Sequence, residues 1–135
     1  MSQWTMMTEF TLSLPDRPGQ LASFAARLRG GDIELLVLDV RALDIPQARL
    51  QCIPENIDEF RMFLRSTDLE HVERDVVLLR EEAGAGSFTR TLEDIASAGI
   101  NLHTLRGVTL ESGIGYIIRP HDEDMDAFLA FLENN

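Results

Sequence analysis

At 135 residues, 44% of them hydrophobic, the chain can fill one core shared by two halves, and no apolar run approaches the roughly 18 residues of a membrane helix. Its net charge of −11 divides into −2 on residues 1–67 (7 Arg against 9 Asp and Glu) and −9 on residues 68–135 (5 Arg against 14). Nucleic acid and anionic membrane are thereby poor partners, because phosphate recognition needs clustered cations, and the absence of Lys excludes Schiff-base chemistry and a P-loop lysine.

Glu9–Leu14 alternates, with Phe10, Leu12 and Leu14 on one face, and reads as a strand. A turn follows from Pro15 to Gly19, with Pro18 suited to a first helical position. Leu21, Phe24, Ala25 and Leu28 then recur at helical spacing, and Gly30-Gly31 is expected to end the helix in left-handed backbone. Ile33–Val40 is a second strand, Leu43–Pro46 a connection and Ala48–Ile53 a third strand. Pro54-Glu55 opens a helix with Ile57, Phe60 and Leu64 on one face.

The next residues repeat this order. Val76–Leu79 is a strand, Ser87 the expected N-cap, and Phe88, Leu92 and Ile95 a helical stripe that ends at Ala98-Gly99. Strands at Ile100–Thr109 and Ile114–Ile118 flank the turn Glu111-Ser112-Gly113. Pro120 is expected to open the last helix, with Asp122–Asp124 complementing its dipole and Met125, Phe128, Leu129 and Leu132 facing the core.

Gly19 and Gly86 are 67 residues apart (86 − 19), as are Ile33 and Ile100 (100 − 33). An internal repeat of this kind governs the fold assignment. Each copy reads β-α-β-β-α, which predicts an α+β chain of two repeats, 1–67 and 68–135, with antiparallel sheets and helices packed on one face. Trp4–Leu14 and His71–Arg80 are both longer than one copy needs. Each is expected to be one long strand whose first half completes the other copy's sheet, so that Trp4–Met7 crosses to the second copy.

Asp16-Arg17-Pro18-Gly19-Gln20-Leu21 followed by Gly31-Asp32-Ile33, and Gly86-Ser87-Phe88 followed by Ala98-Gly99-Ile100-Asn101-Leu102, resemble the ACT domain in tandem over nearly the whole chain. The resemblance implies ferredoxin-like βαββα(β) repeats of ACT type. It also implies a non-catalytic protein that binds a small effector, usually an amino acid, and regulates an enzyme or transcription. It places the ligand at the loop between the first strand and first helix, often where two units pack side by side. The residues so implicated are Asp16, Arg17, Pro18, Gly19, Gln20 and Leu21 in the first copy, and Gly84, Ala85, Gly86 and Ser87 in the second. The facing start of the next strand adds Glu34, Leu35, Asn101, Leu102 and His103. The second loop lacks the Asp and Pro of the pattern, which predicts one well-formed ligand loop and one relaxed or repurposed copy.

Elementary chemistry points the same way, since a Gly turn at a helix start leaves N–H donors open for a carboxylate. Asp16 or the Asn101 amide would accept from an ammonium. The three His are far apart in sequence, no metal-ligand spacing is present, and no cofactor is expected. His121 through Asp124 reads as a charged first helical turn, Cys52 as a buried small hydrophobe, and Trp4 as a core or interface plug. The single Cys, and an N-terminus Met1-Ser2-Gln3-Trp4 with no basic region ahead of an apolar stretch, fit a cytoplasmic protein without a signal peptide. The expected assembly is a homodimer with a small amino-acid ligand and a regulated enzyme or regulator as partner. A pure oligomerisation module and a small ferredoxin-like enzyme are the alternatives.

Overall fold

The computed structural model describes residues 3–134; Met1, Ser2 and Asn135, the chain ends named above, lie outside them. The elements run β1 (Gln3–Pro15), α1 (Gln20–Gly30), β2 (Leu35–Ala42), β3 (Gln47–Pro54), α2 (Ile57–Thr67), β4 (His71–Glu81), α3 (Ser87–Ser97), β5 (Leu102–Leu110), β6 (Gly113–Pro120) and α4 (Met125–Glu133), with a short 3-10 turn at Asp122–Asp124. The fold is α+β, of the ferredoxin-like kind expected.

The described residues form two compact units. The first is Thr8–Arg74; the second joins the residues up to Met7 with those from Asp75 onward. Both long strands therefore change unit partway, β1 between Met7 and Thr8 and β4 between Arg74 and Asp75. Trp4 accordingly packs on the core of the second unit, and the His71 ring lies 5.6 Å from Phe10 in the first. In the first unit the strand order is β2-β3-β1-β4, and in the second β1-β4-β6-β5.

The first core joins Phe10, Leu12 and Leu14 of β1 to Leu50 and Cys52 of β3, and closes over them with Phe24 and Leu28 of α1 and Phe60 and Leu64 of α2. Phe10 and Phe60 meet edge to face at 4.8 Å, the arrangement ring quadrupoles favour. The second core joins Val77, Leu79, Ile114, Tyr116 and Ile118 to Ile95 of α3 and to Phe128 and Leu132 of α4. The antiparallel registers repeat as well. Leu12 opposes Leu50 and Leu14 opposes Ala48, while Leu79 opposes Tyr116 and Glu81 opposes Ile114. Equivalent positions thus differ by 67 on the first strand of each pair (79 − 12) and by 66 on the second (116 − 50).

Several local expectations are corrected. Leu21 and Ala25 are exposed, because α1 buries only Phe24 and Leu28. The left-handed residue after α1 is Asp32 (φ 58), since the helix runs through Gly30 and Gly31 caps it at φ −92. The N-cap of α3 is Gly86 (φ 74) rather than Ser87, which already begins the helix with its amide on the Gly84 carbonyl. Pro120 ends β6, and the acidic Asp122–Asp124 forms a 3-10 turn ahead of α4.

Cys52 is fully buried, as the alternation of β3 predicts. Burial, and after it the charge of Glu9, pushes its thiol from an ordinary value of 9.0 up to about 12. A proton held to about pH 12 in the folded chain but released near 9 in the unfolded one stabilises the fold fully below pH 9. That contribution is lost as the pH rises toward 12. The expected result is declining stability across that alkaline window, together with no reaction of the native thiol with a disulfide reagent at pH 8 and full reaction in denaturant. Alkaline stability unchanged by Cys52→Ala would contradict the burial.

Candidate functional site

Two loops stand out because their helices start uncapped. Gly19 (φ 88) leads into α1 and Gly86 (φ 74) into α3; neither helix has a side-chain cap or an acidic first turn. By contrast, the α2 start is closed by Asn56, whose side chain accepts from the Glu59 amide at 3.0 Å, and carries Asp58 and Glu59. The two open starts share backbone geometry. Gln20 N–H donates to Arg17 and Ser23 N–H to Gly19, while Ser87 N–H donates to Gly84 and Arg90 N–H to Gly86. The amides between these, of Leu21 and Ala22 and of Phe88 and Thr89, have no acceptor within the helix and lie at the positive end of its dipole. A Cβ on Gly19 or Gly86 would meet nothing within 4 Å, so each glycine serves the backbone angle and leaves open space before the amides.

Asp16, Arg17, Pro18 and Gly19 are exposed together in the first loop, with Gln20 half-buried and Leu21 42% exposed beside them. The Asp16 amide donates to Pro46 at 3.2 Å, which ties this loop to the β2–β3 hairpin. Gly84, Ala85 and Gly86 are exposed in the second loop, and Ser87 is buried beneath them. Glu34 and Leu35 lie past the far end of α1, whose 11 residues span about 16 Å. There Glu34 joins Asp32, Ile33, Glu55, Asn56 and Glu59 around an open cavity of about 390 Å³. Its lining of four carboxylates carries no cation partner among the described ion pairs.

Asn101, Leu102 and His103 likewise follow the far end of α3, so within the second unit they do not meet Gly84–Ser87. The Asn101 amide donates to Asp124 Oδ2 at 2.9 Å, and Leu102 packs on the second core. His103 Nδ1 accepts from Arg119 Nη2 at 2.7 Å, and its ring meets His121 edge to face at 5.6 Å. Among the described residues no cluster of three His, Cys, Asp or Glu is arranged to hold a metal ion, and no helix is long and apolar enough to cross a membrane.

The sequence reading missed a polar group under the second loop. Thr91 Oγ1 donates to Glu81 Oε1 at 2.6 Å, and the Tyr116 hydroxyl is buried beside them without a hydrogen-bond partner of good geometry. Burial, foremost, raises the Tyr116 pKa above its ordinary value of 10.0. Comparing the two copies position by position was the available signal, since these three residues stand where the first copy has core side chains.

No protein-family model matches the sequence, and no curated protein matches it. Solved structures do share the fold. Protein BT0572 from Bacteroides thetaiotaomicron superposes with a TM-score of 0.82 at 18% identity, over 97% of this chain and 90% of that one. The ligand-free regulatory subunit of aspartate kinase from Thermus thermophilus gives 0.65 at 17% identity, over 98% of this chain and 95% of that one. E. coli aspartokinase III, in complex with lysine and aspartate, gives 0.57 at 11% identity, over 98% of this chain and 32% of that one.

Proposed function

We propose that the chain is a non-catalytic regulatory protein of two ACT-type units that binds a small amino acid at its glycine loops. The observation that carries this is the pair of uncapped helix starts at Gly19 and Gly86, placed at matching positions of a duplicated fold. An α-amino acid carries the carboxylate such amides take, and Asp16 stands exposed beside the first of them to accept from its ammonium. The fold shared with a regulatory subunit of aspartate kinase, and with an aspartokinase solved with lysine and aspartate, supports an amino-acid effector and an enzyme as the regulated partner. The ligand acts by linkage: it stabilises the arrangement it binds best, and a partner reads the change.

The active form in this reading is a cytoplasmic homodimer. Its support is β2, the edge strand of the first unit, which leaves Leu36, Leu38 and Val40 exposed. Paired antiparallel with a second copy about Val40, β2 opposes Val40 to itself, Leu38 to Ala42 and Asp39 to Arg41, which sets apolar side chains and opposite charges across from each other in the second half of the strand.

A thermal-shift screen of the full chain against the standard amino acids tests the function. At 100 times its Kd a ligand adds about 2.7 kcal/mol, which raises Tm by roughly 10 °C at this length. Gly19→Val should abolish the response at the first loop, because its side chain stands before the open amides. Sedimentation should report twice the chain mass. No response to any amino acid overturns the effector reading and leaves the assembly role.

A further inference from the structure

The two units differ most sharply beneath their glycine loops. In the first, Leu14, Phe24 and Leu50 fill the core, 6%, 3% and 1% exposed. The strand registers and the 67-residue offset put Glu81, Thr91 and Tyr116 at the same three places in the second. A carboxylate, a hydroxyl and a phenol have replaced three hydrocarbon side chains at the bottom of an otherwise repeated scaffold.

Stability gives no reason for the exchange. Leucine and phenylalanine at these positions pack well in the sister unit, whereas a buried hydroxyl without a partner is a cost. Tyr116 is 0% exposed, and its hydroxyl lies beside Thr91 and Glu81 without completing a hydrogen bond of good geometry to either. The Thr91 hydroxyl spends its one proton on Glu81, so the carboxylate keeps free lone pairs and negative charge. The phenol oxygen also keeps its acceptor capacity. Phe88, with its ring 5.3 Å from that of Tyr116, lies against one side, in the space Gly107 leaves: a Cβ there would come within 2.6 Å of it. Glu81 is half-buried at the end of β4, directly before the exposed residues 82–86, so its carboxylate is the member of the group that borders the loop.

The three groups hold two hydroxyl protons, one of them already on Glu81, against a carboxylate and two hydroxyl oxygens, so acceptors outnumber donors. A primary ammonium supplies three N–H donors and the compensating charge. We propose that Glu81, Thr91 and Tyr116 form a recognition site for the primary ammonium group of a small molecule, which makes the second loop a repurposed rather than a vestigial copy. The inference rests on the reading of the glycine loops as ligand-binding.

The test titrates the full chain with ethylammonium, followed by thermal shift and by amide chemical shifts around Glu81 and Tyr116. Tetramethylammonium, of the same charge but without N–H donors, is the control. Ethylammonium is expected to stabilise the protein and move those resonances, and tetramethylammonium to do neither. Tyr116→Phe, which keeps the ring and removes the unpaired oxygen, should fold as well as the parent and bind ethylammonium at least about tenfold more weakly. The triple variant Glu81→Leu, Thr91→Phe, Tyr116→Leu copies the sister unit and should lose the response altogether. Equal responses to the two cations, no response to ethylammonium, or a Tyr116→Phe protein that binds like the parent each overturns the site. An amino-acid response without an ethylammonium response would remove this site and leave the proposed function standing. The reverse result would keep the site and remove the amino-acid reading.

Discussion

Gly113→Ala is expected to cost about 3–5 kcal/mol, a large share of the stability of a chain this size. Two independent effects add at this residue. Its φ of 133° lies where L side chains rarely go, a strain of about 1–3 kcal/mol. A Cβ there would also stand 2.5 Å from the Glu81 carbonyl oxygen, and a backbone atom held in the β4–β6 ladder cannot turn aside as a side chain can. Overpacking of that kind adds about 1–3 kcal/mol more. Gly86→Ala is the internal control: its φ of 74° is also left-handed, but its Cβ meets nothing within 4 Å, so only the backbone strain of about 1–2 kcal/mol applies. Gly107→Ala falls between them, because the atoms it meets belong to the Phe88 ring, which can shift. Urea midpoints of the three variants should rank in that order, and a Gly113→Ala midpoint no lower than that of Gly86→Ala would refute the close approach. The same contact fixes the end of β4, so Gly113→Ala should also disturb the carboxylate of Glu81.

The features that sequence made legible are those set by local chemistry repeated at fixed distance. Gly19 and Gly86 announce turns because only glycine takes positive φ without strain, and their equal spacing from Ile33 and Ile100 exposes the duplication. The length of β1 and β4 was readable for the same reason, as each exceeds what its own copy can use. Features decided by competition between neighbours were less legible. Ser87 has the chemistry of an N-cap, yet Gly86 takes that place because the preceding turn needs left-handed backbone there. Leu21 fits the apolar stripe of α1 but stands at its first turn, beyond the reach of the core. Asn101 and His103 resemble loop neighbours in sequence, whereas a whole helix separates them from Gly86 in space. The group formed by Glu81, Thr91 and Tyr116 draws on three elements, and no window of sequence contains it.

Trp4→Ala should cost about 2–3 kcal/mol, less than a fully buried aromatic because Trp4 is only partly covered, and the loss should fall on a core built from residues more than 70 positions away. The physical reason is the shared strands. Residues 3–7 of β1 belong to the second unit and the remainder to the first, while β4 divides in the opposite sense at Arg74 and Asp75. Each unit's sheet is therefore completed by a strand segment from the far half of the chain. The expected unfolding is a single transition, in which the fluorescence of Trp4, the sole tryptophan, and backbone circular dichroism share one midpoint. Phe60→Ala, in the first core, should shift that same midpoint by about 3–5 kcal/mol. Two resolved transitions, or a Trp4→Ala protein as stable as the parent, would show that the units stand independently. With one transition, each long strand couples both glycine loops through continuous backbone, and a ligand that orders one loop contributes to the stability of both units.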